Sequence, residues 1–303
     1  MRYSREMPKL ISKNTSIINK LAKALSESTG ELLKRDFNAI ANEFLAEDRA
    51  IEQIELFKSE INKFESADFK GKKLLEIGAG VGTFLITART KYGINAFGIE
   101  PSKDEFSPFN EVSLALLEEY NLPKDIVVCS TAENIPFENN SFDLIYSTNV
   151  LEHVQNPKLV IKESIRVLKP GGFLQFVVPN YFSFWEGHYG VLWPCITNKF
   201  SAKIYAKLIG QNPDYIDTLQ LISPFYLKSI LSEIKSNIEI LEWGKGIFKK
   251  RLETGNYTDW ASLQNIRPVV ALVQKLKISS LVANILNLLE MYTPIVLTIK
   301  KYN

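Results

Sequence analysis

The stretch LLEIGAGVGTF (74–84) decides the fold. A short apolar run ends there in three glycines at alternate positions, and a segment with helical character, 83–91, follows. Glycines in such a turn let the backbone bend sharply and approach a ligand closely. Nucleotide-binding folds of several classes use a glycine pattern of this kind, so the rest of the chain has to specify which one is present.

The chain beyond this stretch alternates between short apolar runs and helical segments. Further strand candidates lie at 95–100, 125–130, 142–147 and 172–179, with helical segments at 102–121 and 156–168. This alternation predicts a parallel sheet with helices on both faces. Two more strand candidates arrive late, IEILEW (238–243) and PIVLTIKK (294–301), on either side of an apolar helical region at 259–291.

A separate helical region precedes the glycine-rich stretch. Apolar residues recur at helical spacing between residues 8 and 66, and Gly71 marks the end of this pattern. The spacing predicts two or three amphipathic helices ahead of the α/β core.

Composition narrows the class of protein. The 303 residues are 46% hydrophobic and 23% charged, which is typical of a soluble globular chain. A net charge of +2, with one weak basic cluster at 249–251, disfavours nucleic acid as the partner. Two distant cysteines make no disulfide framework, so a reduced, cytoplasmic setting is expected. No apolar run is long enough to predict a membrane-spanning helix. No group of potential ligands has the spacing of a metal site, so no metal site is predicted.

The residues after the glycine-rich stretch indicate the ligand. Glu100 ends the second strand candidate, where a carboxylate can accept both hydroxyls of a ribose. A dinucleotide-binding pattern would place its third glycine at position 83, where this chain has Thr83, and the Gly-Lys-Ser/Thr of a P-loop is absent. A ligand with a ribose but without a phosphate is therefore favoured.

Four motifs together resemble one family. The chain is similar, between about residues 68 and 180, to class I S-adenosylmethionine-dependent methyltransferases of the small-molecule type. The motifs that carry this resemblance, in the family's order, are LLEIGAGVGTF (74–84), FGIEPS (97–102), STAENIPFENNSFDLIYSTNVLEHV (130–154) and RVLKPGGFLQFVVPN (166–180). Within the last motif, KPGG (169–172) is interpreted as a turn into the fifth strand.

The resemblance implies a doubly wound, seven-stranded, mostly parallel sheet with an antiparallel last strand, which is the Rossmann-like methyltransferase fold. It also suggests a division into three parts. Residues 1–70 would form an N-terminal helical cap, and 71–180 would form the S-adenosylmethionine-binding core. Residues 181–303 would supply a helical and aromatic insertion at the acceptor pocket, together with the last two strands.

The resemblance assigns cofactor roles residue by residue. Glu76 and the glycine turn would hold the methionine part, with the Glu76 charge favouring its ammonium, and Glu100 would hold the ribose hydroxyls. Thr131 stands where many relatives have a carboxylate facing the adenine amino group. The full implied set is Glu76, Gly78, Ala79, Gly80, Glu100, Pro101, Ser102, Thr131, Ala132, Glu133, Thr148 and Asn149.

The catalytic candidates are few because the chain has two histidines. Methyl transfer to oxygen usually needs a base, and neutral imidazole suits that task near pH 7. His188 in WEGHYG (185–190), oriented by Glu186, is the first candidate, and His153 in LEHV (151–154) is the second. The alternatives are a surface-loop histidine for His188 and a loop-fixing, hydrogen-bonded histidine for His153.

The acceptor is a small molecule whose identity the sequence leaves open. The aromatic run between Tyr181 and Trp193 would either wall an acceptor pocket or simply pack. Residues 180–231 more loosely resemble enzymes of bacterial surface-polysaccharide biosynthesis, which favours a sugar or glycan-intermediate hydroxyl. The alternatives are a quinone, lipid or aromatic acceptor, or a non-catalytic binding module.

The apolar region 259–291 has three interpretations. It would be a helical pair packed in the core, the surface of a homodimer, or a peripheral contact with a membrane that carries a lipid-linked substrate.

Overall fold

The structure is a computed structural model that describes residues 9–30, 32–33, 35–66, 68–101, 107–234, 237–255 and 266–302. The chain divides into two compact units. The first unit is Met1–Tyr146 with Val167–Lys169, and the second is Ser147–Arg166 with Pro170–Asn303. The three-part division suggested by the sequence stays a prediction.

The first half of the chain begins with three helices, as the helical spacing predicts. They are α1 (Thr15–Thr29), α2 (Phe37–Phe44) and α3 (Glu47–Asn62). The alternating elements that follow are β1 (Lys73–Ile77), α4 (Thr83–Tyr92), β2 (Asn95–Glu100), α5 (Ser107–Glu119), β3 (Val127–Cys129) and β4 (Phe142–Thr148).

The second half of the chain holds the remaining strands and six helices among the described residues. The elements, in chain order, are α6 (Pro157–Val167), β5 (Leu168–Val178), β6 (Trp185–Glu186), β7 (Val191–Leu192), α7 (Lys199–Leu208), α8 (Pro224–Ser232), β8 (Ile238–Glu242), α9 (Lys245–Thr254), α10 (Arg267–Lys275), α11 (Ser279–Leu288) and β9 (Ile295–Lys301). Strands β6 and β7 form a separate antiparallel hairpin.

Seven strands form one sheet in the order β3-β2-β1-β4-β5-β9-β8. Strand β1 pairs parallel with β2, and β2 pairs parallel with β3. Strand β9 is antiparallel to both β5 and β8. The predicted doubly wound, mostly parallel sheet with an antiparallel last strand is therefore confirmed.

The segment KPGG differs from its predicted form. We expected a turn at 169–172, but β5 already begins at Leu168, directly after α6. Lys169 forms an ion pair with Asp143 at 2.9 Å, and the amide of Ser141 donates to the carbonyl of Val167. These contacts hold the segment in the strand. Gly171 has a φ of 77°, a left-handed conformation that favours glycine.

Within the first unit, helix α3 packs on the α/β core through an aromatic cluster. Phe57 of α3 is fully buried, and its ring lies 5.3 Å from that of Phe69 and 5.5 Å from that of Tyr146. Tyr146 in turn stacks on Phe84 of α4, with ring centroids 4.5 Å apart. Burying a side chain of this size contributes about 1.5–3 kcal/mol, so the cluster ties α3 to the α/β core.

Gly98 of β2 is required by a close approach of three elements. A methyl group at this position would lie 2.7 Å from Cβ of Ala79 in the glycine turn and 3.0 Å from Cδ1 of Leu85 in α4. Contacts this short force neighbouring atoms to move. The absence of a side chain at Gly98 therefore lets β2 lie directly against the turn.

We expect Gly98→Ala to lower the free energy of unfolding by about 1–3 kcal/mol, because the added methyl overpacks this junction. Urea denaturation measures the change. The matched control is Gly246→Ala in α9, where a methyl group meets nothing within 4 Å. That change should be neutral or stabilise by up to about 1 kcal/mol, since alanine is the better helix former. Equal effects of the two substitutions would contradict the packing argument.

Candidate functional site

The glycine turn after β1 adopts a conformation that side chains disfavour. Gly78, Gly80 and Gly82 have φ values of 76°, 52° and 83°. The amides of Gly78 and Ala79 both donate to the carbonyl of Ile99 at 3.0 Å, which fixes the turn to the end of β2. The three glycines thus allow the sharp backbone turn that the sequence predicts at a ligand-binding site.

Glu100 closes this turn with its carboxylate. The side chain is buried, and its Oε2 accepts a hydrogen bond from the amide of Gly80 at 2.9 Å. Burial raises the pKa of Glu100 to about 7, although the hydrogen bond from Gly80 opposes this. Ser130, the first residue after β3, donates its amide to the Glu100 carbonyl, so the glycine turn and the start of the segment after β3 both lie beside the end of β2.

Glu76 is a second buried carboxylate on the same face. The register of β1 and β2 pairs Glu76 with Gly98, so Glu100, two residues further on, lies on the face that Glu76 occupies. Burial, followed by the charge of Glu100, raises the pKa of Glu76 well above its usual value. Its Oε2 is buried and has no hydrogen-bond partner among the described residues.

An unsatisfied buried acceptor costs about 1–3 kcal/mol, which a ligand with a suitable donor would recover. A cation beside Glu76 would also favour the ionised carboxylate. Together with the open glycine turn, the two carboxylates fit a ligand that presents an ammonium group and hydroxyls. This arrangement agrees with the chemistry of the S-adenosylmethionine that the motifs imply.

Phe44, the last residue of α2, lies against the glycine turn. Its carbonyl accepts a hydrogen bond from the hydroxyl of Thr83 at 2.7 Å, and its ring stacks on Phe109 at 5.9 Å. A methyl group at Gly80 would lie 3.9 Å from the Phe44 ring. The sequence does not predict this contact, because nothing in the local pattern of α2 distinguishes Phe44 from an ordinary apolar position.

The third motif forms the turn after β3. Ala132 is buried, Glu133 is half-buried and Thr131 is exposed, with its carbonyl accepting from the amide of Asn134 at 3.2 Å. Pro101 is half-buried, and Ser102 lies outside the described residues. The adenine contacts of these residues stay predictions.

In the second unit, the end of β4 leads into a strained residue. Asn149 has a φ of 53°, and its amide donates to the carbonyl of Val177 at 2.9 Å. Its side-chain Oδ1 is buried and lacks a hydrogen-bond partner within the described part of the chain. Asparagine tolerates this conformation better than most residues. The roles predicted for Asn149 and the half-buried Thr148 toward the cofactor's sulfur stay predictions.

The β6–β7 hairpin brings Glu186 and His188 together, as the sequence analysis expected. Glu186 Oε1 lies 2.7 Å from His188 Nδ1 and accepts from the His188 amide, while Oε2 accepts from the Tyr189 amide at 2.7 Å. Burial alone would raise the pKa of Glu186, but the charge of His188 and these hydrogen bonds outweigh burial and lower it. An ionised carboxylate only accepts, so Nδ1 is the donor to Glu186, and in the neutral form of the ring Nε2 carries the lone pair.

Glu152 and His153 lie beside this pair. The rings of His153 and His188 meet edge to face, with centroids 5.3 Å apart, and His153 Nε2 lies 4.0 Å from Glu152 Oε1. Burial raises the pKa of Glu152 to about 7. The His153 side chain is 37% exposed, yet the protein packed around the ring and the nearby His188 lower the pKa of His153, so it is neutral at pH 7.

Most of the aromatic run packs inside the second unit. Its buried members are Tyr181, Trp185, Tyr189 and Trp193. The rings of Tyr181 and Trp193 meet edge to face at 6.2 Å, and Trp193 Nε1 donates to the carbonyl of Ile196. These contacts favour the packing interpretation for these four residues and leave the acceptor's identity open.

The predicted helical region near the C-terminus forms α10 and α11, and part of it, 259–265, lies outside the described residues. Within the described ranges no helix is both long and apolar enough to cross a bilayer. Among these residues, α10 and α11 reach the required length and apolar character only when they are taken together, and the angle between the two helices is 118°. Their exposed apolar side chains include Val269, Leu272, Leu276, Leu281, Ile285 and Leu288. The predicted contacts with a membrane or a second copy stay predictions.

Comparison with known proteins identifies the family. A methyltransferase-domain family matches residues 46–234, which is more than half of the chain. The chain therefore belongs to this family of methyltransferase domains. The expectation drawn from the four motifs is confirmed at this level.

Individual relatives are more distant. The chain is 33% identical over 110 residues to norajmaline N-methyltransferase of Rauvolfia serpentina, covering 36% of this chain and 37% of that protein. It is 30% identical over 210 residues to an uncharacterized protein of Methanocaldococcus jannaschii, covering 68% of this chain and 80% of that one. The chain spans only about two fifths of the length of the first curated relatives it matches.

Among solved structures, a candidate sarcosine dimethylglycine methyltransferase from Galdieria sulphuraria matches with a TM-score of 0.51 and 16% identity. The match covers 85% of this chain and 86% of that one. At this identity the likeness supports the fold alone.

Proposed function

We propose that the chain is an S-adenosylmethionine-dependent methyltransferase that acts on a small-molecule acceptor. The observation that carries this proposal is the pair of buried carboxylates, Glu76 and Glu100, beside the glycine turn, with one carboxylate oxygen unsatisfied. Membership of a methyltransferase-domain family supports the same activity.

The residues of the first unit would hold the cofactor. Glu76 would bind the ammonium of the methionine part, which supplies the donor that its Oε2 lacks among the described residues. The turn between Gly78 and Gly80 would cradle the methionine chain, and Glu100 would accept from the ribose hydroxyls. The bound cofactor supplies a methyl group on a sulfonium, whose displacement leaves a neutral thioether.

His188 would act as the base in the second unit. As the acceptor oxygen forms its bond to the methyl carbon, its proton would move to His188 Nε2, and Glu186 would stabilise the resulting imidazolium at Nδ1. The lowered pKa of His153 makes that residue the weaker base, which supports His188 as the first candidate.

We propose a sugar or glycan-intermediate hydroxyl as the acceptor, in the cytoplasm. An imidazole held by a carboxylate suits removal of a hydroxyl proton, and the loose resemblance of residues 180–231 to enzymes of surface-polysaccharide biosynthesis supports this class. A quinone, lipid or aromatic hydroxyl is the alternative, and a panel of acceptors distinguishes them. The ordered histidine–carboxylate pair supports catalysis over a purely binding role.

Adenosine binding should weaken as the pH falls, because Glu100 accepts ribose hydroxyls best as a carboxylate. With a pKa of about 7 in the free protein, Glu100 is mostly ionised at pH 8 and mostly protonated at pH 6. Affinity for 5′-methylthioadenosine, which has no titrating amino acid, should fall about tenfold between these values. Calorimetry at several pH values measures it.

The control for this experiment is Glu100→Gln, which should bind more weakly and with a flatter pH profile. The buried Glu76 has a raised pKa as well, so any slope that remains in the variant reports on Glu76. An identical slope in wild type and variant would contradict the assignment of Glu100.

His188→Ala should lower kcat by about a hundredfold or more, because it removes the proposed base. The measurement is release of S-adenosylhomocysteine with an acceptor that the wild type methylates, in the presence of EDTA. Cofactor affinity should change little, since Glu76, the glycine turn and Glu100 belong to the other unit. The matched variant His153→Ala should lose less than about tenfold, and near-normal turnover of His188→Ala would end the assignment.

A further inference from the structure

We infer that Glu152, His153 and His188 form a binding site for a divalent transition-metal ion of the zinc class. One ligand atom from each of these side chains lies within 4.8 Å of the other two. All three belong to the second unit. The inference goes beyond the proposed function, since ion binding is measured without acceptor or cofactor.

The Glu152 carboxylate is the observation that points to a ligand. It is fully buried, and neither of its oxygens has a hydrogen-bond partner among the residues that the structure describes. A buried carboxylate without partners is costly as an anion. A divalent cation beside it would compensate that cost directly.

The two imidazoles provide the remaining ligands. Neutral imidazole is the form of histidine that binds a metal ion, and each of the two rings offers one nitrogen within 4.8 Å of the other ligand atoms. Bonds of about 2.1 Å in a tetrahedral site place ligand atoms about 3.4 Å apart, so no pair of ligand atoms has to approach by more than about 1.4 Å. The His153 side chain is 37% exposed, and its Nε2 lies 4.0 Å from Glu152 Oε1.

Glu186 would be the positioning residue of this site. Its carboxylate holds His188 Nδ1 at 2.7 Å, so Nε2 would be the coordinating atom of this ring. A carboxylate behind a coordinating histidine fixes the ring's orientation and raises its basicity. Two nitrogens and one oxygen suit Zn²⁺ or Co²⁺ better than Mg²⁺ or Ca²⁺, and three protein ligands leave a fourth position open.

This site shares one atom with the proposed catalysis. Nε2 of His188 binds either the ion or the acceptor's proton, so an ion at the site withdraws the base. A divalent ion of this class should therefore slow methyl transfer, and EDTA should restore it.

The test is direct titration of the full chain without a histidine tag. The chain has no other histidines, and its two cysteines, Cys129 and Cys195, are replaced by serine to remove thiol ligands. Zn²⁺ is titrated by calorimetry, and Co²⁺ by its visible absorption. We expect one ion per chain. Glu152→Gln, His153→Ala and His188→Ala should each weaken binding about a hundredfold or more, and Glu186→Gln about 10–100-fold.

The matched control is Glu239→Gln, an exposed carboxylate of β8 in the same unit, which should bind the ion like the wild type. Circular dichroism verifies folding, and His153→Ala decides the outcome if a buried variant fails to fold, because its ring is partly exposed. Unchanged affinity in His153→Ala, or no stoichiometric binding by the wild type, would overturn the inference. Neither result depends on methyl transfer, so failure here is distinct from failure of the proposed function.

Discussion

Two carboxylates buried side by side at the ends of neighbouring parallel strands constrain the rest of the first unit. Keeping Glu76 and Glu100 out of water is unfavourable, which raises the pKa of both groups. The amide of Gly80 offsets part of this cost by donating a hydrogen bond to Glu100. That bond depends on the left-handed glycine turn, and the turn can lie against β2 because Gly98 has no side chain. Oε2 of Glu76 remains without a hydrogen-bond partner among the described residues, which supports the proposed ligand at this site.

The second unit also buries two carboxylates, but only one of them has hydrogen-bond donors among the described residues. Glu186 is as deeply buried, but three hydrogen bonds from the hairpin satisfy it, so it remains ionised and orients His188. Glu152 has no comparable donors within the described residues, and its pKa rises. The hairpin thus places the satisfied Glu186 next to His188, while the unsatisfied Glu152, which follows β4, has a carboxylate oxygen within 4.8 Å of a nitrogen of the same ring. The two proposals give that ring a proton and a metal ion as alternative partners.

The sequence predicted features encoded by neighbouring residues. The strand–turn–helix of residues 74–84, the carboxylate at Glu100 and the Glu186–His188 pair all lie within a few positions of the motif that reveals them. It did not predict contacts that only folding creates. Spacing along the chain predicts no metal site, yet the fold brings Glu152 and His153 to His188. The prediction of a turn at KPGG was wrong because the conformation there also depends on a contact between distant residues. Asp143 pairs with Lys169 and holds it in the strand.

The most direct test of the account compares S-adenosylmethionine with 5′-methylthioadenosine, which lacks the amino acid part, in wild type and Glu76→Gln. If Glu76 binds the ammonium, the wild type should prefer S-adenosylmethionine by about tenfold or more, and the variant should bind the two ligands within about threefold of each other. Calorimetry gives all four affinities. Equal weakening of both ligands by the substitution, or preferential binding of NAD by the wild type, would contradict the account.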